Sequence, residues 1–197
     1  MNKLLDFSNG LQRFTTRRYI LPLFILLVIV LAFMEVSPIG SARLKALSGG
    51  TGMLDMEFGY NPAQVYGFLN RIGDSGQQIY KALLGLDYLF AVVFMLLQAL
   101  LITNLLQRAG INHSGLQLLN LLPFVRSALD ALENCFLLAI LFQYPVQLSA
   151  LVAASSTLTI SKLIVHRVII VLTFSLGAWI STRSMLPKNK VQLGGKA

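Results

Sequence analysis

The sequence predicts an all-α integral membrane protein: a four-helix bundle of four transmembrane helices. A short amphipathic helix is expected in the first extracytoplasmic loop. Three observations predict this. The 197 residues are 55% hydrophobic and 12% charged, with a mean hydropathy of +0.69. Apolar runs of the length a bilayer requires, about 20 residues, recur along the chain. The Lys and Arg residues between those runs are distributed unequally. A soluble domain carries about 25% charged residues, so this composition excludes a soluble globular protein. It also excludes a disordered chain and a disulfide scaffold. Cys135 is the single cysteine, so neither an intrachain disulfide nor a CxxC pair can form. The net charge of +8 in so apolar a chain sets membrane orientation and does not point to nucleic acid.

Residues 1–18 are polar and basic, with Lys3, Arg13, Arg17 and Arg18 against Asp6. Ile20 to Met34 is an apolar run ending at Glu35 and Pro38, and it predicts a first span over 19–36. Gly40-Ser41-Ala42 resembles a signal-peptidase site. The long basic region before the run favours a retained span over a cleaved leader. Residues 37–78 form the extracytoplasmic loop. Within it Ser48-Gly49-Gly50-Thr51-Gly52 lacks the Gly-Lys-Ser/Thr ending of a phosphate loop and reads as a linker. Asn61-Pro62 is a cap followed by proline, and Val65, Phe68, Leu69 and Ile72 then repeat at i, i+3, i+4, i+7. That pattern predicts a short amphipathic helix, either on the membrane surface or across the mouth of the bundle.

Ser75-Gly-Gln-Gln78 has the form of a capping box. It opens a helix to Gln107, with a span over 79–107. Ser114-Gly-Leu-Gln117 repeats the signature before a third span over 117–144, which Pro123 should kink unless the helix begins later. Pro145 closes it. A fourth span covers 149–183, and at about 50 Å it exceeds the bilayer core. It could therefore tilt, extend, or break near Lys162–Arg167. The whole chain, 1–197, reads as one membrane domain. Nine Lys and Arg residues fall on the side of the two termini and four on the other. This places both termini in the cytoplasm of a cell (plasma or inner) membrane.

The informative residues are the charges inside the spans. Twelve Leu, Ile, Val or Phe residues between Leu121 and Tyr144 contribute about −4 to −7 kcal/mol to insertion. Asp130 and Glu133 cost about 5–7 kcal/mol together. The third helix therefore needs partners. At 100° per residue, Arg126, Asp130, Glu133 and Asn134 share an arc of roughly 100°. On the fourth helix Ser155, Thr159, Lys162 and His166 share roughly 60°, and on the second Tyr80, Asp87 and Gln98 form a stripe. Glu133 and Lys162 lie roughly 18 and 20 Å from their helix starts, so both reach the mid-bilayer. The expected site is an intramembrane cluster of Asp87, Gln98, Arg126, Asp130, Glu133, Asn134, Ser155, Thr159, Lys162 and His166.

No catalytic residue, cofactor or metal is assigned. HExxH, GxSxG, Walker and Rossmann patterns are missing, and the sequence weighs against an enzyme. Ser155 and Lys162 are about 10 Å apart along a helix, too far for a direct dyad. Cys135 is expected to be a buried, inert thiol. The reading is a protein that binds or translocates a small solute, proton or lipid headgroup. Its expected partners are the lipid bilayer, a small-solute or lipid ligand, and a membrane protein partner or second copy. One alternative is a non-enzymatic subunit or regulator of a larger membrane complex, with the polar residues as helix glue. Another is a membrane enzyme acting on a lipid. Exchanging the charges tests the central pairing: Glu133→Lys with Lys162→Glu should be recovered folded from detergent in higher yield than either single variant.

Overall fold

The computed structural model describes residues 2–111 and 113–185. It is 86% helical, with no strand among the described residues. In order, α1 spans Asn2–Gly10, α2 Arg17–Val36, α3 Ser41–Ser48 and α4 Pro62–Arg108. They are followed by α5 at Ser114–Gln117, α6 at Leu122–Gln143 and α7 at Ser149–Met185. Short 3-10 turns occupy Leu11–Phe14, Leu54–Met56 and Leu118–Leu121. Three helical stretches are long and apolar enough to cross a membrane: Arg17–Ser48, Pro62–Arg108 and Ser149–Arg183. The 22-residue α6 carries Arg126, Asp130 and Glu133 and falls outside that group.

The helices are inside-out relative to a water-soluble protein. Exposed positions include Phe24, Ile25 and Val28 on α2, Leu89 and Val92 on α4, and Ile164, Val171 and Phe174 on α7. On α6 the exposed face is Val125, Ala128, Leu132, Cys135 and Phe142. The buried side chains, by contrast, include many charged and polar ones. A surface of this kind is matched to lipid. The helices α6 and α7 pack together, α4 packs on both, and α2 and α3 pack on α4.

Among the described residues four apolar clusters form, and two of them flank the polar residues in sequence. One gathers Phe68, Leu69, Tyr80, Leu83, Leu137 and Ile140 with Val152. The other gathers Ile102, Leu106, Ile169 and Leu176. The polar residues of α4, α6 and α7 lie between these two sets in sequence, as a layer across the middle.

Local chemistry accounts for the element boundaries. The capping box forms at Asn61 and Gln64: Gln64 N donates to Asn61 Oδ1 at 2.9 Å, and Asn61 N donates to Gln64 Oε1 at 2.8 Å. The first turns of α4 bury Val65, Phe68, Leu69 and Ile72 against Leu44 and Tyr80. This amphipathic stretch therefore closes over the end of the neighbouring helices. Gly73, at φ 60° and ψ −172°, breaks α4 between this stretch and the long apolar part, and Ser75 stands just beyond the break. Pro123 sits in the first turn of α6, where a missing N–H costs nothing. The helix begins later than the Ser114 signature suggested, so no kink is needed. The last helix, α7, is continuous through Lys162–Arg167, about 55 Å long.

Two segments differ from a plain reading of the sequence. The basic N-terminal stretch contains α1, which is tied down by Ser8. Its hydroxyl lies 3.0 Å from Asn120 Oδ1 and 3.1 Å from the Gln117 carbonyl oxygen. The segment 49–61 does not stay at the surface but descends along α7. Tyr60 N donates to Ser156 Oγ at 2.9 Å, Asp55 reaches Lys162 at 3.8 Å, and Arg167 lies 5.6 Å from the Phe58 ring. From Ser156 to Arg167 is roughly 16 Å along the helix. At Gly59 (φ 87°) a Cβ would stand 3.1 Å from Ile160, so glycine permits both the turn and the close approach.

No side chain crowds the Cβ position of Gly73, so a substitution there has a conformational cost only. Gly73→Ala should lower stability by about 1–3 kcal/mol, read as a reduced melting temperature in detergent.

Candidate functional site

The site is built around one ammonium group. Lys162 of α7 is buried, and its Nζ donates to Asp130 Oδ1 at 2.8 Å. It also stands 2.6 Å from Glu133 Oε2, a close ion pair. Asp55 Oδ2 completes the surround at 3.8 Å. Asp130 also faces Arg126 Nη2 at 3.1 Å, one helical turn away. Asp87 of α4 accepts from Asn134 Nδ2 at 2.7 Å. Thr159 donates to Glu133 Oε1. Each of Asp55, Asp87, Arg126, Asp130, Glu133 and Lys162 is 7% exposed or less.

Secondary structure explains the convergence. Arg126, Asp130, Glu133 and Asn134 recur on one face of α6. Ser155, Thr159 and Lys162 recur at i, i+4 and i+7 on α7, whose apolar face turns outward. Tyr60 lies against this second stripe: its hydroxyl is 2.7 Å from Ser155 Oγ and 3.2 Å from Thr159 Oγ1. The hydroxyl of Tyr80 accepts from Leu54 N at 3.3 Å and so pins the 3-10 turn that carries Asp55. The guanidinium of Arg126 rests near Phe90 at 5.7 Å and Phe94 at 5.2 Å, in range of cation–π attraction.

The ten residues selected from the sequence fall into two groups. Arg126, Asp130, Glu133, Thr159 and Lys162 form one connected network, Ser155 joins it through Tyr60, and Asp87 pairs with Asn134 beside it. His166 stands one turn beyond Lys162, its ring 5.7 Å from Phe94. Gln98 is half-buried, and its Oε1 has no hydrogen-bond partner among the described residues. Asp55 and Tyr60 belong to the site although no helical period announces them. The one legible signal was an acid embedded in Met53-Leu54-Asp55-Met56. Cys135 corrects an expectation: its thiol is exposed on the outer face of α6, 3.1 Å from the Tyr88 hydroxyl.

A cavity of about 240 Å³ opens beside the network, with Asp55 and Asp87 in its wall and Glu35 and Lys45 among its lining residues. Glu35 and Lys45 pair at 3.6 Å. Within the network Asp55 Oδ1, Asn134 Oδ1, and Nε and Nη1 of Arg126 are buried without a hydrogen-bond partner. Buried polar atoms without partners are uncommon in folded proteins. Among the described residues, no group of three or more His, Cys, Asp or Glu side chains is arranged to hold a metal ion. The chain matches no family model, no curated protein and no solved structure.

Asp55 lies outside the three spanning stretches. Burial pushes its carboxyl up to about 6, and Glu133 and Asp130 push the same way, while Lys162 opposes them. Tyr60 and Tyr80 also face it. Folding therefore favours its neutral form. That contribution is complete below the unfolded value of 3.8 and is lost as the pH rises through about 6. Asp55→Asn, which cannot ionise, should gain melting temperature relative to the unsubstituted protein as the pH is raised from 4.5 to 7.5. Parallel melting curves across that range would contradict this.

Proposed function

We propose that the chain is a multi-pass protein of the cell (plasma or inner) membrane. It would have four spans, α2, the long part of α4, α6 and α7, and both termini in the cytoplasm. It binds or translocates a small solute, a proton or a lipid headgroup at the Lys162 cluster. The apolar exposed face of α6, with every charge on the opposite face, supports α6 as the fourth span. The excess of Lys and Arg near the two termini supports the orientation.

One observation carries the functional reading: the charged network borders a cavity. Charges that serve only to hold helices together gain most from close packing and complete pairing. Here two of the buried carboxyls instead line open volume, and several polar atoms in the network lack partners. Ionisable groups inside a membrane protein mark ligand and proton sites.

Native mass spectrometry of the protein, released from mild detergent, tests this reading. A bound small molecule or lipid should appear on the unsubstituted protein and be lost from Asp87→Asn. Vesicles loaded with a pH-sensitive dye test the proton alternative, with flux expected to fall at least tenfold in Glu133→Gln. Absence of both bound mass and flux, in protein that folds and inserts, overturns the reading. Failure of the conservative variants to insert at all assigns the cluster to helix glue.

A further inference from the structure

The cluster carries an uneven charge count. Asp55, Asp87, Asp130 and Glu133 supply four carboxyls, and Lys162 and Arg126 supply two cations, all within contact of one another or one residue removed. Two negative charges are left over when all are ionised. Uncompensated buried charge is costly, so the surplus must be met by protons or by a bound cation. The loosely paired carboxyls are Asp55, 3.8 Å from Lys162 Nζ, and Asp87, which accepts from the Asn134 amide and is in no ion pair among the described residues.

Asp55 and Asp87 are also the two cluster carboxyls that line the cavity. The buried Oδ1 of Asp55 has no partner. The rest of the wall includes Leu31, Met34, Met56 and Phe90. Hard metal cations take six or more oxygen ligands, which this wall does not supply. An aromatic ring and thioethers beside two carboxyls suit a different guest: a positive charge attached to an apolar body.

We propose that the cavity between segment 49–61 and α4 takes a small protonated amine, with its ammonium between Asp55 and Asp87 and its apolar part against Phe90 and the methionines. This rests on the reading of the cluster as a binding site and names the chemical class of its solute. The Glu35–Lys45 pair stands at the same cavity, so the guest reaches the carboxyls past a polar rim.

The test uses the full chain in lipid nanodiscs with n-butylammonium as the probe. Melting temperature should rise saturably with n-butylammonium. It should not rise with 1-pentanol, the uncharged analogue, or with sodium chloride at equal ionic strength. Asp87→Asn should weaken the apparent affinity at least tenfold. Asn104→Ala, remote from the cavity, should leave it unchanged. If Asp87→Asn does not fold, labelling of the unsubstituted protein decides. A hydrophobic carbodiimide should modify Asp55 or Asp87, mapped by peptide mass, and n-butylammonium should slow that modification at least tenfold. Equal stabilisation by 1-pentanol or by sodium overturns the proposal. So does full retention of the shift in Asp87→Asn, or carbodiimide labelling that the amine does not slow. A different bound mass in native spectra, together with no response to the amine, sinks the amine assignment and leaves the binding-site reading standing.

Discussion

The Lys162 ammonium is the constraint on which the rest of this structure depends. A lone charge in a span costs about 2.5–3.5 kcal/mol on insertion scales, and α6, the fourth span proposed above, carries three. Those costs fall only if the charges meet one another away from lipid. Lys162 supplies the meeting point for two carboxylates of α6 and for Asp55. The pairing of α6 with α7, and the descent of segment 49–61 between them and the rest of the chain, are the geometric consequences. Apolar clusters on either side and the burial of these side chains lower the local dielectric, which strengthens the interactions within the network.

Much of this was legible in the sequence because helices have a fixed period. A rotation of 100° per residue placed Arg126, Asp130, Glu133 and Asn134 on one side of α6. It did the same for Ser155, Thr159 and Lys162 on α7. Counting rise per residue put Glu133 and Lys162 at one depth, and they stand 2.6 Å apart. The three helices long and apolar enough to cross a membrane could be read from their apolar runs. The period does not extend to segment 49–61. Its path is set by positive φ angles at Gly49, Gly50 and Gly59 and by hydrogen bonds to Ser156 and Tyr80, and neither leaves a repeat in the sequence. Asp55 and Tyr60 were therefore invisible as site residues. The N-terminal helix was obscured for a related reason: its short, polar sequence is held by Ser8 against Asn120, a contact 112 residues away.

The contrast between glue and site comes down to completeness. An ion network that only fixes helix register is best when every charge is matched and every void is filled. Around Lys162 the matching is tight for Asp130 and Glu133 and loosens toward Asp55 and Asp87. The cavity lies on the side of Asp55 and Asp87. One cluster thus combines a rigid half, which aligns α6 and α7, with a half that faces free volume. Rigid supports beside an open, polar-lined space are the usual arrangement of a ligand pocket.

The position of Cys135 has a practical consequence. The chain has one thiol, and it lies on the outer face of α6 immediately after Asn134, on the opposite side of the helix from the network. A fluorophore or nitroxide of modest size attached there needs no engineered background. It would sit on the exposed face of α6, away from the charged residues. Its collision rate with lipid-soluble and water-soluble quenchers would measure how deep this turn of α6 lies. That depth converts the distances around Lys162 into positions relative to a bilayer.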